Sequence, residues 1–245
     1  MVLILAFVSQ FIQEQLYYLV LAAWIVLVMT RSRLSFRALV GQIPPGYNWW
    51  PIVLMGIAGV AYAVGAITVV MLPLAQLNSE LVAELLSMSL PGSPLSLFIE
   101  LVILAPLMEE TIFRGLLFSR LTEKWGMTKA MIVSSLAFGL LHMDPIGSFV
   151  FGIVTCVLYV RTRTLLVPMA LHALHNLIVW AFMFSGLDGE IAFTSPEVRG
   201  QWAYEGLLAM MLASPIVFVL LARWWPSRDA PIPYLPNKGD STIAS

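Results

Sequence analysis

The chain has 245 residues, of which 60% are hydrophobic and only 11% are charged, and its mean hydropathy is +0.88. Soluble globular domains carry about a quarter charged residues, so this composition argues against a water-soluble enzyme and against a basic nucleic-acid binder. The formal net charge of -1 gives no sign of a polyanionic partner. The single cysteine, Cys156, excludes an internal disulfide and a zinc site built on several thiolates. The sequence therefore predicts an integral membrane protein.

Seven apolar stretches, separated by polar or Pro/Gly-rich connections, are candidates for membrane-crossing helices. A helix needs about 20 apolar residues to cross a hydrocarbon core of about 30 Å. We therefore predict an all-α fold, a polytopic transmembrane helical bundle with about seven spans. The predicted spans are residues 7–29, 50–73, 96–119, 130–142, 147–160, 165–185 and 203–222.

Lys and Arg residues mark alternate connections between these spans. Residues 31–37, 120–129, 161–163 and 223–238 hold most of them, whereas residues 74–95 hold none. By the positive-inside rule, this pattern places the N-terminus outside and the C-terminus in the cytoplasm. The first stretch has no basic start and no small-residue cleavage site, so it is predicted to be a retained span and not a signal peptide.

The stretches 130–142 and 147–160 predict a short helical hairpin. An α-helix of about 14 residues rises only about 20 Å, which is less than the hydrocarbon thickness. The turn at residues 143–147 is therefore expected below the outer membrane surface, where irregular backbone is stable only inside protein or beside water. A buried aqueous cavity is the consequence.

Ionisable and amide side chains interrupt the apolar stretches at three places. At 1.5 Å of helical rise per residue, each cluster lies about 14 to 20 Å from the nearest inner-boundary cation. Three helices therefore place polar groups in one layer near the membrane midplane, where a charged side chain costs at least a few kcal/mol and is a candidate for function. The clusters are Glu109, Glu110 and Arg114; His142; and His172, His175 and Asn176.

Helical phase separates the two adjacent glutamates. Glu110 and Arg114 are four residues apart and can form an ion pair, whereas Glu109 lies about 100° round the helix and can face the cavity. A poorly solvated glutamate can accept a proton from water, and His142 could orient that water or share its proton. The chemistry that fits is attack of activated water on a carbonyl group. The alternatives are a buried ion pair that fixes helix packing and, for His142, a hydrogen-bonded helix end.

His172 and Asn176 share one helical face, because they are four residues apart. As paired donors they could stabilise the oxyanion of a tetrahedral intermediate. His175 lies about 60° from His172 and could line the same cavity. The alternative for these residues is an interhelical hydrogen bond, worth about 0.6 kcal/mol per contact on average.

Other intramembrane chemistries have no motif in this sequence. It contains no H-E-x-x-H zinc motif, no G-x-S-x-G nucleophile motif, no P-loop, and no aspartate within a predicted span. Two alternatives from other classes stay open. One is a non-catalytic membrane module, such as a bacteriocin-immunity or partner-binding protein, and the other is a proton-coupled transporter, for which buried Glu and His are equally expected.

The three clusters resemble the motifs of the type II CAAX prenyl endopeptidases and the related bacterial Abi and bacteriocin-processing proteins, a family often called CPBP. Residues 109–114 match its E-E-x-x-x-R motif, residues 138–142 match F-x-x-x-H, and residues 172–176 match H-x-x-x-N. The motifs occur in the family's order, and the resemblance covers roughly residues 96–185.

This resemblance implies an intramembrane endopeptidase in which Glu109 activates the attacking water with His142. The family has been described both as metal-dependent and as a metal-free glutamate type. We favour the metal-free type and expect no cofactor, because thiolates are lacking; a divalent metal such as zinc is the alternative, with Glu109, His142 and His172 as its ligands. The implied catalytic residues are Glu109, His142, His172 and Asn176, with Glu110, Arg114 and Phe138 in support.

Four regions follow from these patterns. Residues 1–95 form N-terminal membrane spans, 96–185 a catalytic core of the CPBP type, 186–225 the last span, and 226–245 a disordered cytoplasmic tail rich in Pro, Ser, Asn and Gly. The expected partners are the lipid bilayer and a membrane-associated protein or peptide substrate, which is prenylated for some members of the family. No nucleic-acid partner is expected.

Overall fold

A computed structural model of the chain describes residues 19–31, 36–87, 93–185, 195–227 and 230–231. Within these ranges the secondary structure is helical and contains no strand, so the predicted all-α fold is confirmed. The first residues of the predicted span 7–29 and most of the predicted tail at 226–245 lie outside the described residues.

Each predicted span overlaps at least one helix of the described residues. We number the helices along the chain as α1 (Leu19–Arg31), α2 (Phe36–Val40), α3 (Trp50–Leu77), α4 (Ser79–Ser87), α5 (Pro94–Leu97), α6 (Ala105–Glu110), α7 (Ser119–Trp125), α8 (Met127–Leu140), α9 (Pro145–Thr162), α10 (Leu166–Met183) and α11 (Pro196–Trp224). Two π-helical segments, π1 (Phe98–Leu104) and π2 (Thr111–Phe118), join α5, α6 and α7 into one continuous helix.

Four of the described helices are long and apolar enough to cross a membrane: α3, α9, α10 and α11. Helices α1 and α8 are apolar but shorter. The hairpin of α8 and α9 was predicted with two short arms, and here the prediction is wrong for the second arm. Helix α9 has 18 residues, which corresponds to about 27 Å of rise. Of the two arms, only α8 is therefore too short to span the hydrocarbon core.

Local sequence signals explain where α9 and α11 begin. Asp144 caps α9 by accepting a hydrogen bond from the backbone N–H of Gly147, and Ser195 caps α11 in the same way through Val198. Each capping residue is followed by a proline, whose fixed φ suits the first helical turn and whose missing N–H is not needed there.

Helix α9 lies at the centre of the bundle. Every residue from 152 to 160 is buried, as expected for a helix that is surrounded by other helices and not exposed to lipid on one face. It packs against α3, α8, α10, α11 and π2. Helices α8 and α10, which precede and follow α9 in the chain, both pack against it.

Helices α3 and α11 approach each other closely at two glycines. A Cβ added to Gly65 would lie 2.5 Å from the carbonyl oxygen of Gly206, and one added to Gly206 would lie 2.3 Å from Oγ1 of Thr68. Small residues allow this backbone approach, which is a common way for membrane helices to pack. This contact fixes α3 against the rest of the bundle, where α3 forms one wall of the cavity described below.

Candidate active site

The structure brings the three polar clusters to one cavity of about 430 Å³ within the helical bundle. The continuous helix of residues 94–125 contributes Glu109 from α6, and the turn between α8 and α9 contributes His142. Helix α10 contributes His172, His175 and Asn176. Five of the seven candidate residues line the cavity, namely Glu109, Phe138, His142, His172 and Asn176. The other two, Glu110 and Arg114, lie directly behind it.

Glu110 and Arg114 form the ion pair that their spacing predicted. Arg114 Nη1 lies 3.1 Å from Glu110 Oε1, and both side chains are fully buried. The same carboxylate oxygen accepts a hydrogen bond from His172 Nδ1 at 2.9 Å. Glu110 therefore neutralises Arg114 and fixes the orientation of His172 at the same time.

Glu109 faces the cavity, as the helical phase predicted. Its side chain is 28% exposed, and Oε2 lies 3.7 Å from His142 Nε2 and 3.8 Å from His172 Nε2. Both distances exceed that of a direct hydrogen bond. The carboxylate oxygen is thus positioned almost equally between two imidazole nitrogens from different parts of the chain.

The partners of the two histidines determine which ring nitrogen carries the hydrogen. His142 Nδ1 lies 2.7 Å from the carbonyl oxygen of Phe138, which can only accept, so Nδ1 must be the donor. His172 Nδ1 donates to the Glu110 carboxylate by the same argument. In the neutral rings both Nε2 atoms are therefore acceptors. Three acceptors face one another, and a donor such as a water molecule or a ring proton satisfies them.

His142 lies just beyond α8 and not within it, which corrects the prediction that the helix extends to residue 142. Helix α8 ends at Leu140, and the His142 backbone N–H bonds to the carbonyl of Gly139 at 3.0 Å. Pro145 disfavours helical conformation at Asp144, so α8 and α9 do not form one continuous helix. The ring nevertheless stacks on Phe138, with ring centroids 4.3 Å apart.

The ring of Phe138 contacts several side chains of the site. Its ring centroid lies 4.4 Å from the guanidinium carbon of Arg114 and 6.0 Å from the ring of His172 in an edge-on arrangement. Cation–π and aromatic contacts of this kind each contribute roughly 0.5–2 kcal/mol when desolvated. Phe138 thereby links the buried ion pair to both histidines.

Asn176 is held by an unusual backbone carbonyl. Its Nδ2 donates to the carbonyl oxygen of Leu101 in π1 at 2.8 Å. In a π-helix that carbonyl would bond to the N–H five residues later, but residue 106 is proline and has no N–H. The amide of Asn176 supplies the missing donor. One N–H of this amide is therefore used, and the second is left for a ligand in the cavity.

A zinc ion fits this donor set poorly. Ligands at about 2.0–2.1 Å in tetrahedral geometry stand about 3.4 Å apart, whereas the distances from Glu109 Oε2 to the two imidazole nitrogens are 3.7 and 3.8 Å. Across the described ranges, no group of three or more His, Cys, Asp or Glu side chains is close enough to hold a metal ion. We therefore assign no step of the chemistry to a metal.

Asp144 and His175 also line the cavity, and neither was assigned a catalytic role from the sequence. Asp144 was interpreted as a turn former, and its Oδ1 does cap α9, but its Oδ2 is buried and accepts no hydrogen bond from the described residues. Burial raises the pKa of Asp144 to about 6, opposed by the Gly147 N–H and by His142. His175 packs against Phe151, with ring centroids 5.1 Å apart. The Asp-Pro sequence gave no signal beyond a turn, whereas the phase of His175 did place it near His172.

The fold and the site define an all-helical membrane protein with a glutamate, two histidines and an asparagine around an internal cavity. Residues 91–178 match the family described as Type II CAAX prenyl endopeptidase Rce1-like. This match contains all three motifs and overlaps the predicted core of residues 96–185, so the resemblance to that family is confirmed over this region.

A curated protein that is similar to part of this chain is also named as a peptidase. The protein named "Putative membrane peptidase YdiL" from Bacillus subtilis (strain 168) is 35% identical over 80 residues, which is 31% of this chain and 33% of that protein. The match thus spans about a third of the relative's length. No solved structure matches the chain.

Proposed function

We propose that this protein is an intramembrane endopeptidase that hydrolyses a peptide bond of a membrane-associated protein or peptide, with water activated by Glu109. The observation that carries the proposal is the position of Glu109 Oε2 in the cavity, 3.7 Å from His142 Nε2 and 3.8 Å from His172 Nε2. The family match over residues 91–178 and the relative named as a membrane peptidase support the same activity.

The geometry suits a water molecule held by Glu109 and His142. Two atoms 3.7 Å apart can both lie about 2.8 Å from one water oxygen, which is an ordinary hydrogen-bond distance. The water donates one hydrogen to the carboxylate and the other to His142 Nε2. As the oxygen attacks the peptide carbonyl, Glu109 takes the first proton, which is general-base catalysis.

The tetrahedral intermediate then collapses by breaking the C–N bond. The protonated Glu109 returns its proton to the departing nitrogen, so the products are a carboxylic acid and an amine. The negative oxygen of the intermediate needs donors. The second N–H of Asn176 is one, and His172 can be another only as an imidazolium, because its Nδ1–H is already bonded to Glu110.

Glu110, Arg114 and Phe138 act as positioning residues in this proposal. Glu110 pairs with Arg114 and accepts a hydrogen bond from His172 Nδ1, and these contacts hold the His172 ring with Nε2 towards Glu109. A pre-organised site of this kind requires supporting contacts that lock the reacting groups.

The position of the cavity among the helices restricts the substrate. A substrate must already lie in or at the membrane, and a prenylated protein is one member of that class. We also propose the N-terminus outside and the C-terminus in the cytoplasm, on the distribution of Lys and Arg. A metal-dependent protease using Glu109, His142 and His172 is the alternative mechanism.

Glu109→Gln tests the proposal. The purified protein is reconstituted in proteoliposomes with a library of synthetic transmembrane peptides, and new peptide ends are measured by mass spectrometry. Loss of the general base is expected to lower the cleavage rate by at least about a hundredfold. The matched control is Glu205→Gln, which removes the same charge from an exposed side chain of α11 outside the cavity. Unchanged cleavage in Glu109→Gln would refute the assignment.

A chelator separates the two mechanisms. The proposed chemistry predicts that cleavage persists after treatment with a strong zinc chelator. Loss of cleavage that added zinc restores would favour the metal-dependent alternative.

A further inference from the structure

Asp144 is a second carboxylate at the cavity, and the mechanism above does not use it. It lies in the turn between α8 and α9, two residues after His142. Its two oxygens have different roles, because Oδ1 accepts the Gly147 N–H at 2.9 Å whereas Oδ2 is buried without a hydrogen-bond partner among the described residues. Leaving a buried acceptor unsatisfied is costly, so this oxygen is suited to receive a donor from a ligand.

The packing around Asp144 holds its carboxylate in place. A Cβ added to Gly147 would collide with Oδ2, and the same added atom would lie 3.2 Å from the Ala63 Cα of α3. The carboxylate is therefore held between the start of α9 and the wall formed by α3. Its position does not depend on a flexible loop.

The charge of the cavity favours a cationic ligand. Among the described residues that line it, the ionisable side chains are carboxylates, imidazoles and one phenol, and neither Lys nor Arg is present. Arg114 does not compensate the cavity carboxylates, since it is bound to Glu110 behind the wall. The lining thus holds two carboxylates, Glu109 and Asp144, in mostly apolar surroundings and no Lys or Arg to balance them.

The distance along the chain places Asp144 near the reacting atoms. Two consecutive Cα–Cα steps of 3.8 Å limit its Cα to about 7.6 Å from that of His142, and His142 Nε2 is 3.7 Å from Glu109 Oε2. In an extended peptide, residues follow one another at about 3.3 Å. Since Asp144, His142 and Glu109 line the same cavity, a group bound by Asp144 belongs to a residue close to the scissile bond.

We propose that Asp144 is a specificity-determining residue that binds a positively charged group of the substrate, a Lys or Arg side chain or an amine, beside the scissile bond. This inference rests on the proposed peptidase function and adds the class of substrate that the site selects. A Lys side chain is costly within a membrane, and the Asp144 carboxylate offsets that cost in the bound state.

Binding of two small probes tests the role of Asp144 without requiring cleavage. Octylammonium and 1-octanol have the same apolar chain and differ in the charged head group. Their affinities are measured for the wild-type protein, Asp144→Asn and Glu205→Gln in nanodiscs. We expect Asp144→Asn to weaken octylammonium binding by about tenfold or more, which is the usual effect of losing one charged hydrogen bond. Binding of 1-octanol should not change, and Glu205→Gln should match the wild type.

Asp144→Ser is the second variant, because serine is also a good N-cap residue but carries no charge. It should reproduce the selective loss of octylammonium binding. Equal affinities for octylammonium in all proteins would overturn the proposal. Equal weakening of both probes in Asp144→Asn and Asp144→Ser would also overturn it, since that result assigns Asp144 a role that does not depend on the charge of the ligand.

The same variants are then tested on peptides that carry either Lys or norleucine next to the cut. The wild-type ratio of kcat/KM for Lys over norleucine is expected to fall about tenfold in Asp144→Asn. If no peptide is cleaved by the wild type, the proposed function fails, while the probe affinities still decide the role of Asp144.

Discussion

The buried ion pair behind the cavity predicts a large loss of stability when only one partner is replaced. Arg114→Met keeps most of the side-chain length but leaves the Glu110 carboxylate with His172 Nδ1 as its remaining partner. Breaking a buried pair in this way typically costs about 3–5 kcal/mol, because the remaining charge is desolvated.

The geometry of this pair leads to a similar magnitude. Two unit charges separated by the 3.1 Å between Arg114 Nη1 and Glu110 Oε1 attract by about 5 kcal/mol at an effective dielectric constant of about 20, before desolvation is counted. We therefore expect Arg114→Met to lower the free energy of unfolding by about 3–5 kcal/mol.

A double variant separates the charge from the side-chain contacts. In Glu110→Gln with Arg114→Met, both charges are gone, and the introduced amide oxygen can still accept from His172 Nδ1. Replacing a whole buried pair by neutral groups is often close to neutral. The double variant is therefore expected to be more stable than Arg114→Met alone, with a coupling energy of about 2 kcal/mol or more between the two sites.

The assay is equilibrium unfolding in detergent micelles, followed by the fluorescence of the eight tryptophans. Arg120→Met is the matched control, because Arg120 pairs with Glu123 at the surface, where the two side chains are 55% and 40% exposed. Exposed pairs contribute only about 0–1 kcal/mol. The reasoning is refuted if Arg114→Met costs no more than Arg120→Met, or if the effects of the double variant are additive.

Three further outcomes follow from the structure. Gly65→Ala is expected to lower the free energy of unfolding by about 1–3 kcal/mol, since the added Cβ would lie 2.2 Å from Met210 Cβ. Thermal unfolding measures this effect, and an unchanged midpoint would contradict the close contact of α3 and α11. Asn176→Ala is expected to lower the free energy of unfolding by about 1–2 kcal/mol, because the Leu101 carbonyl loses its hydrogen-bond donor. The variant should also cleave more slowly, and a normal cleavage rate would show that Asn176 is not part of the oxyanion site. The pKa of Asp144 is raised from 3.8 to about 6, so the folded protein binds a proton that the unfolded chain releases between these values, and stability falls as pH rises from 4 to 7. Partial exposure of Asp144 reduces this effect on the free energy of unfolding to about 1–2 kcal/mol. Asp144→Asn should abolish that part of the pH dependence. A variant whose stability depends on pH as that of the wild type does would contradict the burial of the carboxylate.

The helices could be predicted from the sequence because lipid-facing and buried positions are both apolar, which makes each span a continuous stretch. Hydropathy does not distinguish α- from π-helical turns, so π1 and π2 were not predicted. The bond from Asn176 to Leu101 depends on those turns and on Pro106. It joins two distant parts of the chain, and no local pattern indicates it.

The candidate site was predictable where helical phase alone decides the geometry. The four-residue spacing of Glu110 and Arg114 predicted their ion pair, and the different helical phase of Glu109 predicted that its side chain faces the cavity. The position of His142 was not predictable in the same way, because α8 ends at Leu140, before it, and α9 begins only after Asp144. Asp144 itself was missed as a cavity residue, since a role as turn former explains an Asp-Pro pair at the level of sequence.

The central claim, that Glu109 activates a water molecule for peptide hydrolysis, is tested most directly by cleavage in ¹⁸O-labelled water. Wild-type protein in proteoliposomes is predicted to place one labelled oxygen in each new C-terminal carboxylate. Glu109→Gln is predicted to form almost no labelled product over the same period. Labelled product formed by Glu109→Gln at the wild-type rate, or cleavage without label in either protein, would contradict the account.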